Sequence, residues 1–236
     1  MAAALKILLL VTSQATMGDS PRPTGVWLEE LTTPYYAFVD AGAEVDIASI
    51  KGGPVPLDPH SVVAAGGNPP SVERFLHDRA AMARLQTSAA VTQLDGRGYA
   101  AVFLPGGHGT MWDFPDNTAL ATLLGRMWRA GKVVAAVCHG PAGLLGVSDA
   151  QGRPLVNGRH ISAFTDSEEA AAGLDRVVPF LLETRLRAQG ALFERGVNFQ
   201  PHAVRDGQLV TGQNPASSLE VARLVLEAVH PVPVTH

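Results

Sequence analysis

The chain has 236 residues, is 46% hydrophobic and carries a formal net charge of −4, enough length and apolar content to bury one substantial core. Its lysines (Lys6, Lys51, Lys132) and its arginines are scattered without a basic stripe, which argues against a nucleic-acid partner. The single cysteine, Cys138, cannot close an internal disulfide, so composition points to the cytoplasm, and no apolar run approaches the ~20 residues of a membrane helix.

In chain order, "KILLLVTS" (6–13) predicts a buried first strand rather than a signal peptide, because the apolar run is short and passes directly into polar residues. "PYYAFVDAG" predicts a helix capped by Thr33, with Pro34 in its first turn and Gly42 at its end. "EVDIASI" (44–50) is the second strand. The Gly-, Pro- and Ser-rich stretch 51–72 reads as an excursion that covers a site, not as a linker. Further strands are predicted at 99–107 and 132–138, separated by a helix over 117–131 that ends at Gly131. This is βαβ logic. Strands without polar alternation belong to a parallel sheet with helices on both faces. Asn157-Gly158 and Asp206-Gly207 each predict a β-hairpin, a helix over 215–229 follows, and the tail 230–236 reads as loose. No repeats occur, and residues 1–236 read as a single α/β domain.

The segment "GKVVAAVCHGPAGLL" (131–145) places Cys138 where a buried strand turns into a helix. Such a nucleophile elbow holds its side chain above the carboxyl ends of the strands, where open α/β sheets bind ligands. Small residues at 135, 136 and 140 permit the turn, and Pro141 suits an early helical position. The positive end of the following helix is expected to favour thiolate at neutral pH. The His139 N–H is a candidate oxyanion donor, and "LPGGHGT" offers Gly106 and Gly107 for a second. His108 is a candidate to line the pocket or to cap its loop. The other histidines show no metal-ligand spacing, and neither GxGxxG nor a P-loop lysine is present, so no metal or cofactor is expected.

Taken together, "TGVWLEEL", "LPGGHGTMWDFPDN", "AAVCHGPAGLL", "GRPLVNGRHISAFTDSEE" and "LVTGQNPASS" resemble the ThiJ/PfpI superfamily. The branch is that of glutathione-independent glyoxalases and stress chaperones with a class I glutamine amidotransferase-like fold. The resemblance implies a flavodoxin-like three-layer sandwich with a mainly parallel sheet, to which the two hairpins are added. It also implies a glutamate beside the thiol, which matches Glu30, and use of His139. An acidic residue orienting His139 matches Glu169, with Glu168 as the alternative, and the second oxyanion donor matches Gly107. Amidotransferase activity is disfavoured because no H-x-E follows Cys138.

The expected activity is cofactor-free conversion of methylglyoxal or a related 2-oxoaldehyde to a 2-hydroxy acid (D-lactate). Cys138 forms a hemithioacetal and Glu30 shuttles the proton. The alternatives are a stress chaperone, or a deglycase or cysteine peptidase using the same thiol. The resemblance also brings the expectation of a homodimer.

Overall fold

The run KILLLV forms β1 (Lys6–Val11), and its side chains divide between two cores: Leu8 and Leu10 enter one, Ile7, Leu9 and Val11 the other. A strand buried on both faces needs no polar alternation, which is why the sequence shows none. The computed structural model describes residues 5–229. The predicted loose tail, including His230, lies outside them.

Seven strands form one sheet in the order β3-β2-β1-β4-β5-β9-β8. Its parallel members are β1, β2 (Glu44–Ser49), β3 (Ala89–Ala90), β4 (Ala101–Leu104), β5 (Val133–Val137) and β9 (Leu209–Gly212). Only β8 (Ala203–Asp206) runs antiparallel, paired to β9 through the turn at Gly207, whose φ of 62° is the left-handed value such a turn requires. A separate pair joins β6 (His160–Ile161) to β7 (Leu192–Phe193).

Helices cover both faces. On one lie α1 (Leu28–Asp40), α2 (Pro70–His77), α3 (Arg79–Gln86) and α8 (Ser218–Val229), which bury Leu31, Phe38, Phe75, Leu85 and Val221. On the other, α5 (Thr118–Arg129) and α7 (Leu182–Ala188) bury Leu123, Leu124, Met127, Leu182 and Leu186. Each large side chain removed from water in this way contributes about 1.5–3 kcal/mol. Two short helices, α4 (Thr110–Asp113) and α6 (Asp166–Ala171), stand at the carboxyl edge of the sheet. The α/β fold with a mainly parallel sheet is therefore as expected.

Two local expectations are corrected. Helix α1 starts at Leu28, not near Thr33, and Pro34 lies inside it. Pro34 cannot donate to the Glu30 carbonyl, yet burial of Leu28, Glu30 and Leu31 at 0% exposure holds the preceding turn in the helix. Asn157-Gly158 does not join a hairpin. The run before it turns back on residues 147–154, with the Leu155 N–H donating to Val147 O, while β6 pairs in parallel with β7. Among the described residues, no helix is long and apolar enough to cross a membrane.

Candidate active site

Cys138 follows β5 with φ of 59°, a left-handed conformation that a non-glycine residue adopts at a cost of about 1–3 kcal/mol. Its backbone is pinned on both sides. The Cys138 N–H donates to Gly212 O (2.9 Å), and the Phe164 N–H donates to Cys138 O (2.9 Å). Thr110 Oγ1 lies 2.9 Å from Gly107 O and 3.1 Å from His139 O, so one hydroxyl ties the glycine loop after β4 to the elbow after β5. Glycine is obligatory at 140, because a Cβ there would run into the Leu104 carbonyl.

This backbone brings consecutive side chains together: Cys138 Sγ lies 3.2 Å from His139 Nδ1. His139 Nε2 is 2.7 Å from Glu169 Oε2, and the other oxygen, Oε1, is 2.7 Å from His108 Nε2. The two imidazoles stand 4.1 Å apart between ring centroids, and Phe164 packs against His139 at 4.5 Å. Burial works to raise the Glu169 pKa, but attraction to His139 when that ring is protonated, and hydrogen bonds from both imidazoles, hold it well below the usual carboxylate range. Burial lowers the His139 pKa and His108 adds to this, against the pull of Glu169. An ionised Glu169 facing a neutral His139 fixes the tautomer: Nε2–H donates to the carboxylate, and the lone pair of Nδ1 faces the thiol.

Glu30 approaches from the first turn of α1, not from a loop. Its Oε2 accepts the Gly106 N–H at 2.6 Å, whereas its Oε1 is buried without a hydrogen-bond partner among the described residues. Burial pushes Glu30 up to about 8, against the opposing effects of Cys138 and of the Gly106 N–H. Below that pH the carboxyl holds a proton, and Oε1 is the oxygen left to carry it. Gly106 makes the approach possible, since a Cβ there would lie 2.7 Å from both Glu30 Oε2 and His139 N.

The expectation of a free thiolate is corrected. Cys138 is 4% exposed, and burial followed by the negative charge of Glu30 pushes the thiol up. The following segment is a five-residue 3-10 turn, Gly140–Leu144, too short to bring a sizeable helix dipole to bear.

Residues 24–228 match the DJ-1/PfpI family. The chain belongs to that family. A DJ-1/PfpI relative, the glutathione-independent glyoxalase HSP31 of Saccharomyces cerevisiae, is 33% identical over 94% of this chain and 97% of its own. Two solved structures superpose closely. Glyoxalase III from Candida albicans is 31% identical with a TM-score of 0.86, covering 95% of this chain and 97% of its own. The Rapid Encystment Protein 24 KDa of Francisella tularensis is 34% identical with a TM-score of 0.91, covering 95% and 99%.

Within this DJ-1/PfpI site the remaining candidates separate. The Gly106 N–H is already engaged by Glu30, so it is not a second oxyanion donor. The N–H groups of Gly107 (φ 105°) and His139 make no hydrogen bond among the described residues. Glu168 is turned away from His139: it accepts from Thr165, the Phe199 N–H, Gln213 and Asn214. It is a buried hub that anchors α6, the helix carrying Glu169. His108 neither caps its loop by side chain nor stands alone; its ring holds Glu169. Ligand-type atoms of His108, His139 and Glu169 lie within 4.8 Å of one another, a spacing able to hold a cation. In this arrangement each Nε2 faces its own carboxylate oxygen instead.

A cavity of about 490 Å³ opens beside His108 and Trp27, walled by Met17 and Arg22 from the segment after β1 and by Asp58 and His60 from the 51–72 excursion. Sequence reasoning named the 51–72 excursion as a cover, but missed Arg22, Asp58 and Thr110. The "PHS" turn after Asp58, whose side chain accepts the His60 N–H, is the one local signal that could have exposed Asp58.

Proposed function

We propose that this protein is a glutathione-independent glyoxalase that converts methylglyoxal, or a related 2-oxoaldehyde, to a 2-hydroxy acid. The observation that carries the reading is the buried Glu30 carboxyl, with one oxygen free of partners, beside a thiol that faces a Glu169-oriented imidazole. A hydrolytic triad needs no such second buried acid. An isomerisation does.

His139 Nδ1 takes the thiol proton as Sγ adds to the aldehyde carbon, and the N–H groups of His139 and Gly107 hold the resulting oxyanion. Glu30, in its ionised form, removes the proton from that carbon and returns it to the neighbouring carbonyl carbon through an enediol. A carboxyl with a pKa near 8 is a stronger base than an ordinary glutamate and still able to give its proton back. The aldehyde carbon is thereby oxidised and the ketone carbon reduced, leaving a thioester. Water cleaves the thioester, releasing lactate and restoring the thiol. Electrons balance within the substrate.

The same reading takes the chain as one domain, since its seven-stranded sheet draws strands from β1 to β9 and the two cores on its faces draw on elements along the same length. A lone, unpaired thiol suits a reducing compartment such as the cytoplasm. The test is lactate formation from methylglyoxal in buffer free of glutathione, with Cys138→Ala and Glu30→Gln beside the wild type. Lactate from the wild type alone is expected. A folded, reduced wild type that makes none overturns the reading.

A further inference from the structure

The cavity beside His108 and Trp27 is larger than methylglyoxal requires. Its volume of about 490 Å³ falls in the range of sites that enclose ligands of many more atoms. Two of its lining residues are hydrogen-bonded to the site. His108 bonds Glu169, and the Trp27 N–H donates to Gly106 O (3.1 Å), the same residue whose N–H binds Glu30. A substrate reaching Cys138 by way of His108 and Trp27 would leave in this space whatever extends beyond its dicarbonyl group.

The walls state what such an extension should be. Met17, Trp27 and Leu174 are apolar, which suits methylene groups. Asp58 is 1% exposed and its oxygens are engaged by Thr24 Oγ1 (3.0 Å) and by the N–H and Nδ1 of His60 (2.9 and 3.1 Å), so its carboxylate is fixed in the wall and offers little surface to a ligand. Arg22 lines the outer rim, is exposed, and among the described residues its guanidinium pairs with no carboxylate. A cationic group at the end of an apolar channel selects an anionic tail and disfavours substrates borne on lysine or arginine side chains.

We propose that this cavity is a tail subsite for 2-oxoaldehydes bearing a carboxylate or phosphate, with Arg22 as the residue that determines that specificity. The inference rests on the glyoxalase reading. With 4,5-dioxopentanoate the aldehyde carbon adds to Sγ and the proton moves from it to the ketone carbon. Water then cleaves the thioester, giving 2-hydroxyglutarate with no external oxidant or reductant.

The test compares kcat/KM for 4,5-dioxopentanoate and for 2-oxopentanal, its uncharged counterpart of equal chain length, in the wild type, Arg22→Ala and Arg22→Lys. The wild type should prefer the anionic substrate. That preference should fall about tenfold in Arg22→Ala, survive in part in Arg22→Lys, and shrink as salt is added. An unchanged preference in Arg22→Ala overturns the proposal. A second arm, calorimetric binding of 2-hydroxyglutarate, does not depend on turnover. If the wild type also leaves methylglyoxal untouched, the glyoxalase reading fails; the subsite then stands only if 2-hydroxyglutarate binds and Arg22→Ala weakens it, and falls if it does not bind or binds both proteins equally.

Discussion

Replacing Glu30 with glutamine should change how stability depends on pH, independently of any activity. In the folded protein the Glu30 carboxyl keeps its proton up to about pH 8, whereas in the unfolded chain it ionises near the ordinary value of 4.5. Between those values the native state binds more protons than the unfolded state, so Glu30 makes the protein less stable as pH rises through this window. The contribution is fully present below 4.5 and gone above about 8. Each unit is worth about 1.4 kcal/mol, so the whole window amounts to about 5 kcal/mol. Glutamine is uncharged and retains an oxygen to accept the Gly106 N–H, so the variant lacks this dependence. Asp113, pushed up to about 6 mainly by burial, slopes in the same direction, and His139 slopes oppositely, which is why the difference between the two proteins is the quantity to follow. Urea midpoints with reduced thiol, taken at several pH values, should show Glu30→Gln gaining on the wild type from pH 5 upward. A difference that stays flat up to pH 9 would refute both the buried, protonated carboxyl and its role as a high-pKa base.

Other substitutions test neighbouring parts. Cys138→Ala should abolish lactate formation while the protein still unfolds cooperatively, as seen by circular dichroism and an unchanged m-value; residual lactate at wild-type rate would remove the thiol from the chemistry. Glu169→Gln should lower kcat by about 10²–10⁴ if it acts as carboxylates do in other triads. Because the Glu169 charge raises the His139 pKa, the acidic limb of the pH–rate profile should also move to lower pH, and a shift upward would contradict the pairing. Gly106→Ala should destabilise the protein by about 1–3 kcal/mol and remove activity, since its Cβ meets Glu30 and two backbone atoms of the elbow; thermal melting and lactate assays decide it.

Strands β1, β2, β4 and β5 were legible because a run buried on both faces has a composition of its own, and the β8–β9 hairpin because Asp206-Gly207 suits one tight turn. The start of α1 was hidden by Glu29 and Glu30, which look like loop residues until Leu28 and Leu31 are seen to be fully buried. Helices α2 and α3 went unread, although Pro70 at the start of one and Asp78 capping the other are ordinary start signals. Asn157-Gly158 misled because a turn dipeptide fixes a local bend but not which strands flank it. At the site, Cys138 and His139 could be found from their own neighbourhood. Glu30 and Glu169 came only with the family resemblance, and the bridging of two histidines by Glu169 spans 30 and 61 residues of sequence, beyond any local pattern.

Because Cys138 is the only sulfhydryl in 236 residues, the molecule carries its own titrant. Any thiol-directed reagent reports on one atom, at the elbow, with no surface background to subtract. Sulfur reactivity in the unfolded chain therefore counts molecules, and the rate of the same reaction in the native protein reports how far burial and the raised pKa protect that one atom. The ratio of the two rates, unfolded to native, would express that protection as a single number. Oxidative damage would register as a loss of titratable sulfur in the unfolded chain, and peptide mass mapping would assign each added oxygen to Cys138 or to one of the five methionines.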